Sequence, residues 1–191
     1  VSAEESESQV AMRAKRLSIS TDNLHISAEN HMENIMEYVS LLKPELVIID
    51  SIQTILSTSI DSLPGSPNQI RECGQQLLQL SKQSEITVMI IGHVTKDGAI
   101  AGPKMLEHMV DTVLYLEGED RYDHRILRSI KNRFGATNEV GIFLMDSEGL
   151  QEVKNPSELF LEERTKNIAG ASIYPSLEGT RPILVEVQAL V

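Results

Sequence analysis

Four consecutive aliphatic residues, Leu46-Val47-Ile48-Ile49, end abruptly in Asp50-Ser51, and this junction constrains the fold more than any other stretch. A strand that is apolar at every position reads as one buried on both faces, a property of parallel strands in α/β sheets. In an open sheet of that kind, ligands sit outside the carboxyl ends of the strands, so the acid is delivered to the ligand edge. An Asp there can hold magnesium, directly or through water, beside a nucleotide phosphate. A plain N-cap or turn Asp after a core strand has the same sequence, and the strand by itself leaves both readings open.

A second run, Ile86-Thr87-Val88-Met89-Ile90-Ile91, predicts another buried parallel strand, and it ends at Gly92-His93. Between the two, Ile70 to Lys82 has helical spacing through Leu77, Leu78 and Leu80, preceded by an irregular polar stretch, Ser57 to Asn68. Ahead of the first strand, Ala28 to Leu42 places Ile35, Met36, Val39 and Leu42 on one helical face, stopped by Pro44. Leu24 to Ser27 reads as a short strand. Ser2-Ala3-Glu4-Glu5 fits a capping box with Ser2 as N-cap, opening a helix that runs to about Leu17. Thus Glu4-Glu5, Asp50-Ser51 and His93 are all expected at strand ends on one edge, and three polar deliveries to one crevice point to a nucleotide site.

Beyond a second loop, Val94 to Pro103, a short helix from Lys104 to Val110 is followed by strand-like runs at 112–116, 125–130 and 140–145. Alternating helices and strands giving way to consecutive strands imply a mostly parallel α/β sheet with helices on both faces, extended by antiparallel edge strands. The segment after Pro156 has the mixed polarity of a linker, and the last residues alternate like the opening strands of another domain. The expected organisation is a first domain over 1–157, a linker over 158–170, and the start of a second domain over 171–191. The chain opens on Val1 inside a strand-to-helix transition and stops within a strand-like alternation, so it reads as part of a longer protein.

Composition narrows the class. With 41% hydrophobic and 24% charged residues among 191, the chain is of ordinary globular type. Its single cysteine, Cys73, excludes a disulfide framework within the monomer and a four-cysteine zinc site. No apolar run has the length of a membrane span, which implies a soluble, cytoplasmic protein and no membrane partner. A net charge of -11 argues against nucleic acid held over the whole surface, since phosphate affinity depends on lysine and arginine releasing counterions. Any DNA contact has to come from a local basic surface or from parts of the protein outside these residues.

One motif chooses between nucleotide-binding folds. Lys131-Asn132-Arg133-Phe134-Gly135 follows a strand, and with it the chain resembles the RadA (Sms) family, bacterial RecA-like ATPases of DNA repair and recombination whose signature is Lys-Asn-Arg-Phe-Gly. The likeness is co-linear. Val1-Ser2-Ala3-Glu4-Glu5-Ser6 resembles the family's Val-Ser-Gly-Glu-Glu-Ser, Leu46 to Gln53 its Walker B, and Gly92-His93-Val94-Thr95-Lys96-Asp97-Gly98 its next strand end and loop. Ala171 onward resembles the start of its Lon-protease-like domain. Ala3 departs from the usual glycine but is still small.

The resemblance implies ATP and Mg2+ as cofactors, with Zn2+ only in an N-terminal four-cysteine module that these residues do not include. Glu4 would polarise the attacking water, with Glu5 its rival. Asp50 would hold the magnesium and Ser51 would help order the site. His93 would sense the γ-phosphate, and Lys131 and Arg133 would reach a neighbouring subunit's ATP in the manner of an arginine finger. Each has a plainer alternative: helix-start acids for Glu4 and Glu5, a hydrogen-bonded strand-end histidine, and two solvated cations. In a ring of such subunits, Ser57 to Asn68 and Val94 to Pro103 would face the axis, with Lys96 and Lys104 meeting DNA phosphates. The first of those loops carries Asp61 and no cation, which weighs against it. No Gly-Lys dipeptide occurs, so no phosphate-binding Gly-x-x-x-x-Gly-Lys loop is present, and the isolated fragment is expected to be inactive.

The implied function of the parent is that of a DNA-dependent ATPase that processes or branch-migrates recombination intermediates on single-stranded DNA. Its expected form is a hexameric ring, with the RecA recombinase as a further partner. A second reading keeps the RecA-like fold as a non-catalytic assembly or partner-binding module. A third, a clock or signalling ATPase of the related KaiC type, fits the Phe134-Gly135 ending and the Lon-like tail less well.

Overall fold

The computed structural model describes residues 1–19, 22–93, 101–118, 123–161 and 170–189. They form two compact units, Val1–Val110 and Asp111–Val191.

In the first unit, α1 (Glu7–Arg16) is followed by α2 (Met32–Leu42), β1 (Leu46–Ile49), a single 3-10 turn at Ile52–Thr54, α3 (Pro67–Ser84), β2 (Thr87–Ile90) and α4 (Ala101–Glu107). β1 and β2 pair in parallel, from Leu46 opposite Thr87 to Ile49 opposite Ile90. On the other side of β1 the first residues of the chain act as a third parallel rail. Val1 N donates to Ile48 O at 2.7 Å, Asp50 N to Val1 O at 2.9 Å, and Ala3 N to Asp50 O at 2.8 Å.

That pairing corrects the expected start of α1. Ser2 and Ala3 are committed to the ladder, Ser2 N donating to Ser27 O, so neither can open a helix. The capping box belongs to Ser6 and Gln9, which matches the same sequence pattern four residues later. Ser27 is thereby tied to the sheet, but Leu24 to Ser27 form no strand. The central strand, expected to continue from Leu46 to about Ile55, ends at Ile49, because Ile52–Thr54 turns away immediately after Asp50-Ser51.

The core of this unit lies on one side of β1 and β2, so the expected burial of both faces is not met: Leu46, Ile48 and Met89 on the other face are exposed. Val47 and Ile49 meet Met32, Ile35 and Val39 of α2 and Ile70, Cys73, Leu77 and Leu80 of α3, with Ile52, Ile55 and Leu106 closing the edges. Leu42, expected on the inner face of α2, is half exposed at its last turn. At roughly 1.5–3 kcal/mol for each fully buried large side chain, this cluster is the main source of the unit's stability. Cys73 sits inside it. Burial, and next the nearby charges of Glu72 and Glu33, push its thiol up to about 11, so it is protonated and unreactive at neutral pH.

α3 begins at Pro67 with Ser66 as its N-cap, so the polar stretch after β1 is shorter than its composition suggested. Its segment 57–66 is tied down from beneath. Buried Gln69 accepts from Ser57 N at 3.0 Å and donates to the carbonyls of Ser57, Ile60 and Ser62. Glu33 of α2 accepts from Ser57 Oγ, Thr58 N and Thr58 Oγ1 at 2.8–3.1 Å.

The second unit contains β3 (Thr112–Glu117), β4 (His124–Asn132), β5 (Val140–Asp146) and β6 (Gly149–Glu152) as one antiparallel sheet in chain order. α5 (Pro156–Leu161) and the antiparallel hairpin of β7 (Ala171–Glu178) and β8 (Arg181–Gln188) follow. β6 was not evident in the sequence, since Gly149-Leu150-Gln151-Glu152 has only one large apolar residue. Most of the expected linker, at 162–169, lies outside the described residues.

Candidate functional site

At the C-terminal edge of the parallel strands, three side chains from different segments meet. Ser51, wholly buried, donates its hydroxyl to Glu4 Oε1, and His93 Nε2 lies 3.4 Å from the same oxygen. Glu4 is delivered by the rail of residues 1–3, Ser51 by the exit of β1 and His93 by the exit of β2. The Asp50-Ser51 peptide bond is cis. Each segment is fixed by main-chain bonds, among them Ile52 N to Ile91 O at 3.0 Å and Ile91 N to Ile49 O at 2.9 Å.

The two adjacent acids part company here. Glu5 pairs with Arg13 of α1 at 2.7 Å, so its carboxylate faces the helix. Glu4 turns to the strand edge. Among the described residues both of its polar contacts fall on Oε1, and Oε2 accepts none.

Asp50 sits beside Ser51 at the same edge, half buried, and its carboxylate accepts no hydrogen bond among the described residues. No group of three or more His, Cys, Asp or Glu side chains suited to a metal occurs among the described residues. Magnesium at a nucleotide site does not need one: it is held by one or two carboxylates together with phosphate oxygens and water. Asp50, which has the Val1 ammonium as a nearby opposite charge and stands next to an oriented Glu4, fits that mode of binding.

The Lys131–Gly135 motif lies in the second unit. The register between β3 and β4 shifts between Val113 and Leu114, so Ile130 is an extra residue in the ladder just before Lys131, and a bulge of this kind re-aims the side chain that follows. Asn132 then folds the exit on itself. Its Oδ1 accepts from Phe134 N at 3.0 Å and its Nδ2 donates to Ala136 O at 3.4 Å. A Cβ on Gly135 would stand 3.1 Å from that amide nitrogen, close enough to disturb the clip. Arg133 pairs with Asp111 at 2.8 Å in an exposed ion pair, and Phe134 is 83% exposed.

Of the expected DNA contacts, Lys104 is an exposed residue of α4, and Lys96 lies outside the described residues. The described part of Val94 to Pro103 belongs to α4, which begins at Ala101. Gln53 and Gln69 were passed over in the sequence. Both are glutamines in polar surroundings, and nothing in their spacing announces that one ties the two strand exits and the other anchors a loop. No helix among the described residues is long and apolar enough to cross a membrane.

Comparison with known proteins adds the lineage. A family model described as ATPase: KaiC matches residues 1–139. The DNA repair protein RadA of Bacillus subtilis is 56% identical over all 191 residues, which make up 42% of that protein. RadA of Listeria monocytogenes is 54% identical with the same share, and RadA of Streptococcus pneumoniae is 54% identical with 46% of its length matched. The chain thus spans less than half the length of these curated relatives. Among solved structures, the RadB recombinase is similar over 64% of this chain and 59% of its own, with 18% identity and a TM-score of 0.48. The KaiC-type match and the RadA resemblance name the same lineage at two depths, and the chain belongs to the RadA family of KaiC-type, RecA-like ATPases.

Proposed function

We propose that this chain carries the catalytic strand edge of a DNA-dependent ATPase that processes recombination intermediates on single-stranded DNA. The observation that supports it most is the convergence of Glu4, Ser51 and His93 at the ends of neighbouring parallel segments. In this reading residues 1–157 belong to the RecA-like domain, 158–170 to a linker and 171 onward to a Lon-protease-like domain. The phosphate-binding loop is supplied by sequence outside these residues, and the 191 residues alone do not turn over ATP.

Glu4 acts as the base that orients and polarises the attacking water through Oε2. Ser51 fixes the carboxylate by holding Oε1, and an oriented base is worth more than a mobile one because the reacting atoms are already in place. His93, 3.4 Å from Glu4, is where a change at the γ-phosphate is felt by the chain leaving β2. Asp50 would help hold a magnesium ion, which when bound would supply charge neutralisation for the transferred group. Lys131 and Arg133 act on a neighbouring subunit's nucleotide in a hexameric ring. The ion pair of Arg133 with Asp111 is exposed, and pairs of that kind are worth at most about 1 kcal/mol, so it yields readily to a phosphate. Lys96 and Lys104 meet DNA phosphates, and the protein works in the cytoplasm with the RecA recombinase as a partner.

The test uses the full-length protein containing this sequence. Glu4→Gln is expected to lower DNA-stimulated ATP hydrolysis by about 10²-fold or more while ATP binding persists, and Glu5→Gln to change it by less than about threefold. Equal losses from the two substitutions would undo the assignment. Unchanged turnover in Glu4→Gln would leave a non-catalytic assembly module as the better description.

A further inference from the structure

Gln53 lies on the 3-10 turn directly after Asp50-Ser51, between the two strand exits. Its Nε2 donates to the main-chain carbonyl of His93 at 3.1 Å. Its Oε1 is buried and takes no hydrogen bond among the described residues. The orientation is forced, because turning the amide over would set one oxygen against another at His93.

A half-satisfied amide burdens the fold, since a buried acceptor without a donor keeps the cost of leaving water. Methionine would occupy a similar volume without that burden. What glutamine adds is a single bond, and that bond fixes the main chain of the residue whose ring reaches Glu4. Gly65, with a positive φ of 74°, passes close to the same turn: a Cβ there would stand 3.2 Å from Gln53 O.

We propose that Gln53 is a positioning residue for ATP hydrolysis: by holding the His93 carbonyl it keeps the imidazole against Glu4 and so fixes the carboxylate that orients the water. The inference rests on the reading of Glu4 given above, and it assigns Gln53 no contact with nucleotide. Its mark is that activity and stability separate when the amide is removed.

In the full-length protein, Gln53→Met is expected to lower the kcat of DNA-stimulated hydrolysis about five- to tenfold, the size of one lost neutral hydrogen bond expressed only in the turnover step. KM for ATP is expected to stay within about twofold. The melting temperature of Gln53→Met should be no lower than that of the wild type, because the orphaned oxygen is gone. Gln53→Glu should lose more activity, its carboxylate being repelled by the His93 carbonyl. In a His93→Ala background, Gln53→Met should cost nothing further, as expected for two residues acting through one contact.

An unchanged kcat in Gln53→Met overturns the inference, as does a fall in melting temperature that parallels the loss of activity, or full additivity with His93→Ala. Glu4→Gln run alongside separates the two levels. If it abolishes turnover while Gln53→Met does not affect it, the role of Gln53 alone is lost; if turnover survives Glu4→Gln, the catalytic reading falls and this inference with it.

Discussion

The chain leaves β1 and β4 by opposite means. After β1 the exit is held from a distance: the Ile52–Thr54 turn bonds to the exit of β2, Leu56 N and O bond to Asn30 and Met32 ahead of and at the start of α2, and Ser57 is clasped by Gln69 from α3. After β4 the side chain of Asn132 folds the exit on the next few residues, and the longer tie is an exposed one, Arg133 N donating to Asp111 O at 3.1 Å and its guanidinium pairing with the Asp111 carboxylate. The first arrangement makes geometry and stability one property, because the groups that orient Ser51 also close the core. The second supplies geometry with little stability, since Arg133 to Ala136 are exposed, the Asn132 clip is local and the Arg133–Asp111 pair lies in water. A buried site that must align Glu4 with Ser51 suits the first, and a motif that offers Phe134 and Arg133 outward suits the second.

The contrast can be broken at Gln69. Gln69→Leu removes the donor or acceptor for four main-chain groups, and those of Ser57 sit where water cannot replace the amide. Stranded buried groups cost roughly 1–3 kcal/mol each, partly relieved by relaxation, so the expected loss of unfolding free energy is about 3 kcal/mol. Chemical denaturation of the first unit's transition measures it. A loss under about 0.5 kcal/mol, the range of an ordinary surface change, would mean that the exit of β1 is not held remotely after all.

This difference also decides what was legible in the sequence. β1, β2 and the inner faces of α2 and α3 announce themselves, since apolar runs and helical spacing follow directly from burial. The strand edge was legible for the same reason: Asp50-Ser51 and Gly92-His93 are where two apolar runs stop, although only one face of each strand is turned to the core. The start of α1 was not, because Ser2-Ala3-Glu4-Glu5 and Ser6-Glu7-Ser8-Gln9 satisfy the same capping pattern, and the choice is made by the ladder with Asp50, nearly fifty residues away. The parting of Glu4 from Glu5 was equally hidden, as it depends on Arg13 meeting one of them across the first turns of α1. Remote anchors such as Gln69 leave no local trace. A self-held turn like Asn132 to Ala136 does, and that is why the second region was recognisable as a motif before its geometry was known.

Asn132→Ala sharpens the comparison from the other side. It deletes both bonds of the clip without opening a cavity, so unfolding free energy should change by less than about 0.5 kcal/mol. Orientation of the neighbouring Lys131 and Arg133 is lost instead. DNA-stimulated turnover in the full-length protein is expected to fall about fivefold, or roughly 1 kcal/mol of transition-state stabilisation. Stability and activity falling together would place Asn132 with the core-held residues and erase the distinction between the two exits.

The smallest effect is expected at the outer end of the remote scaffold, where Glu29 precedes the residues that bridge to Leu56. Its carboxylate accepts from His31 N at 2.8 Å, Asn34 Nδ2 at 2.8 Å, Asn30 N at 2.9 Å and His31 Nδ1 at 3.2 Å. These bonds, that from His31 N–H foremost and that from the Asn34 amide next, hold the Glu29 carboxyl down at about 2. Glu33 is also held low: burial works to raise it, but the bonds from its own main chain, from Thr58 and from Ser57 outweigh that. A carboxyl depressed by folding stabilises the native state fully above its unfolded value of 4.5, and the contribution drains away as pH falls from there through the folded value near 2. Glu29→Gln removes that contribution at neutral pH and has little left to remove in acid. The gap in unfolding free energy between wild type and Glu29→Gln should therefore be widest above about pH 5 and narrow steadily towards pH 2. A gap that widens on acidification would mean that these amides do not favour the charged carboxylate, and the scaffold ahead of α2 would then have to be held by packing alone.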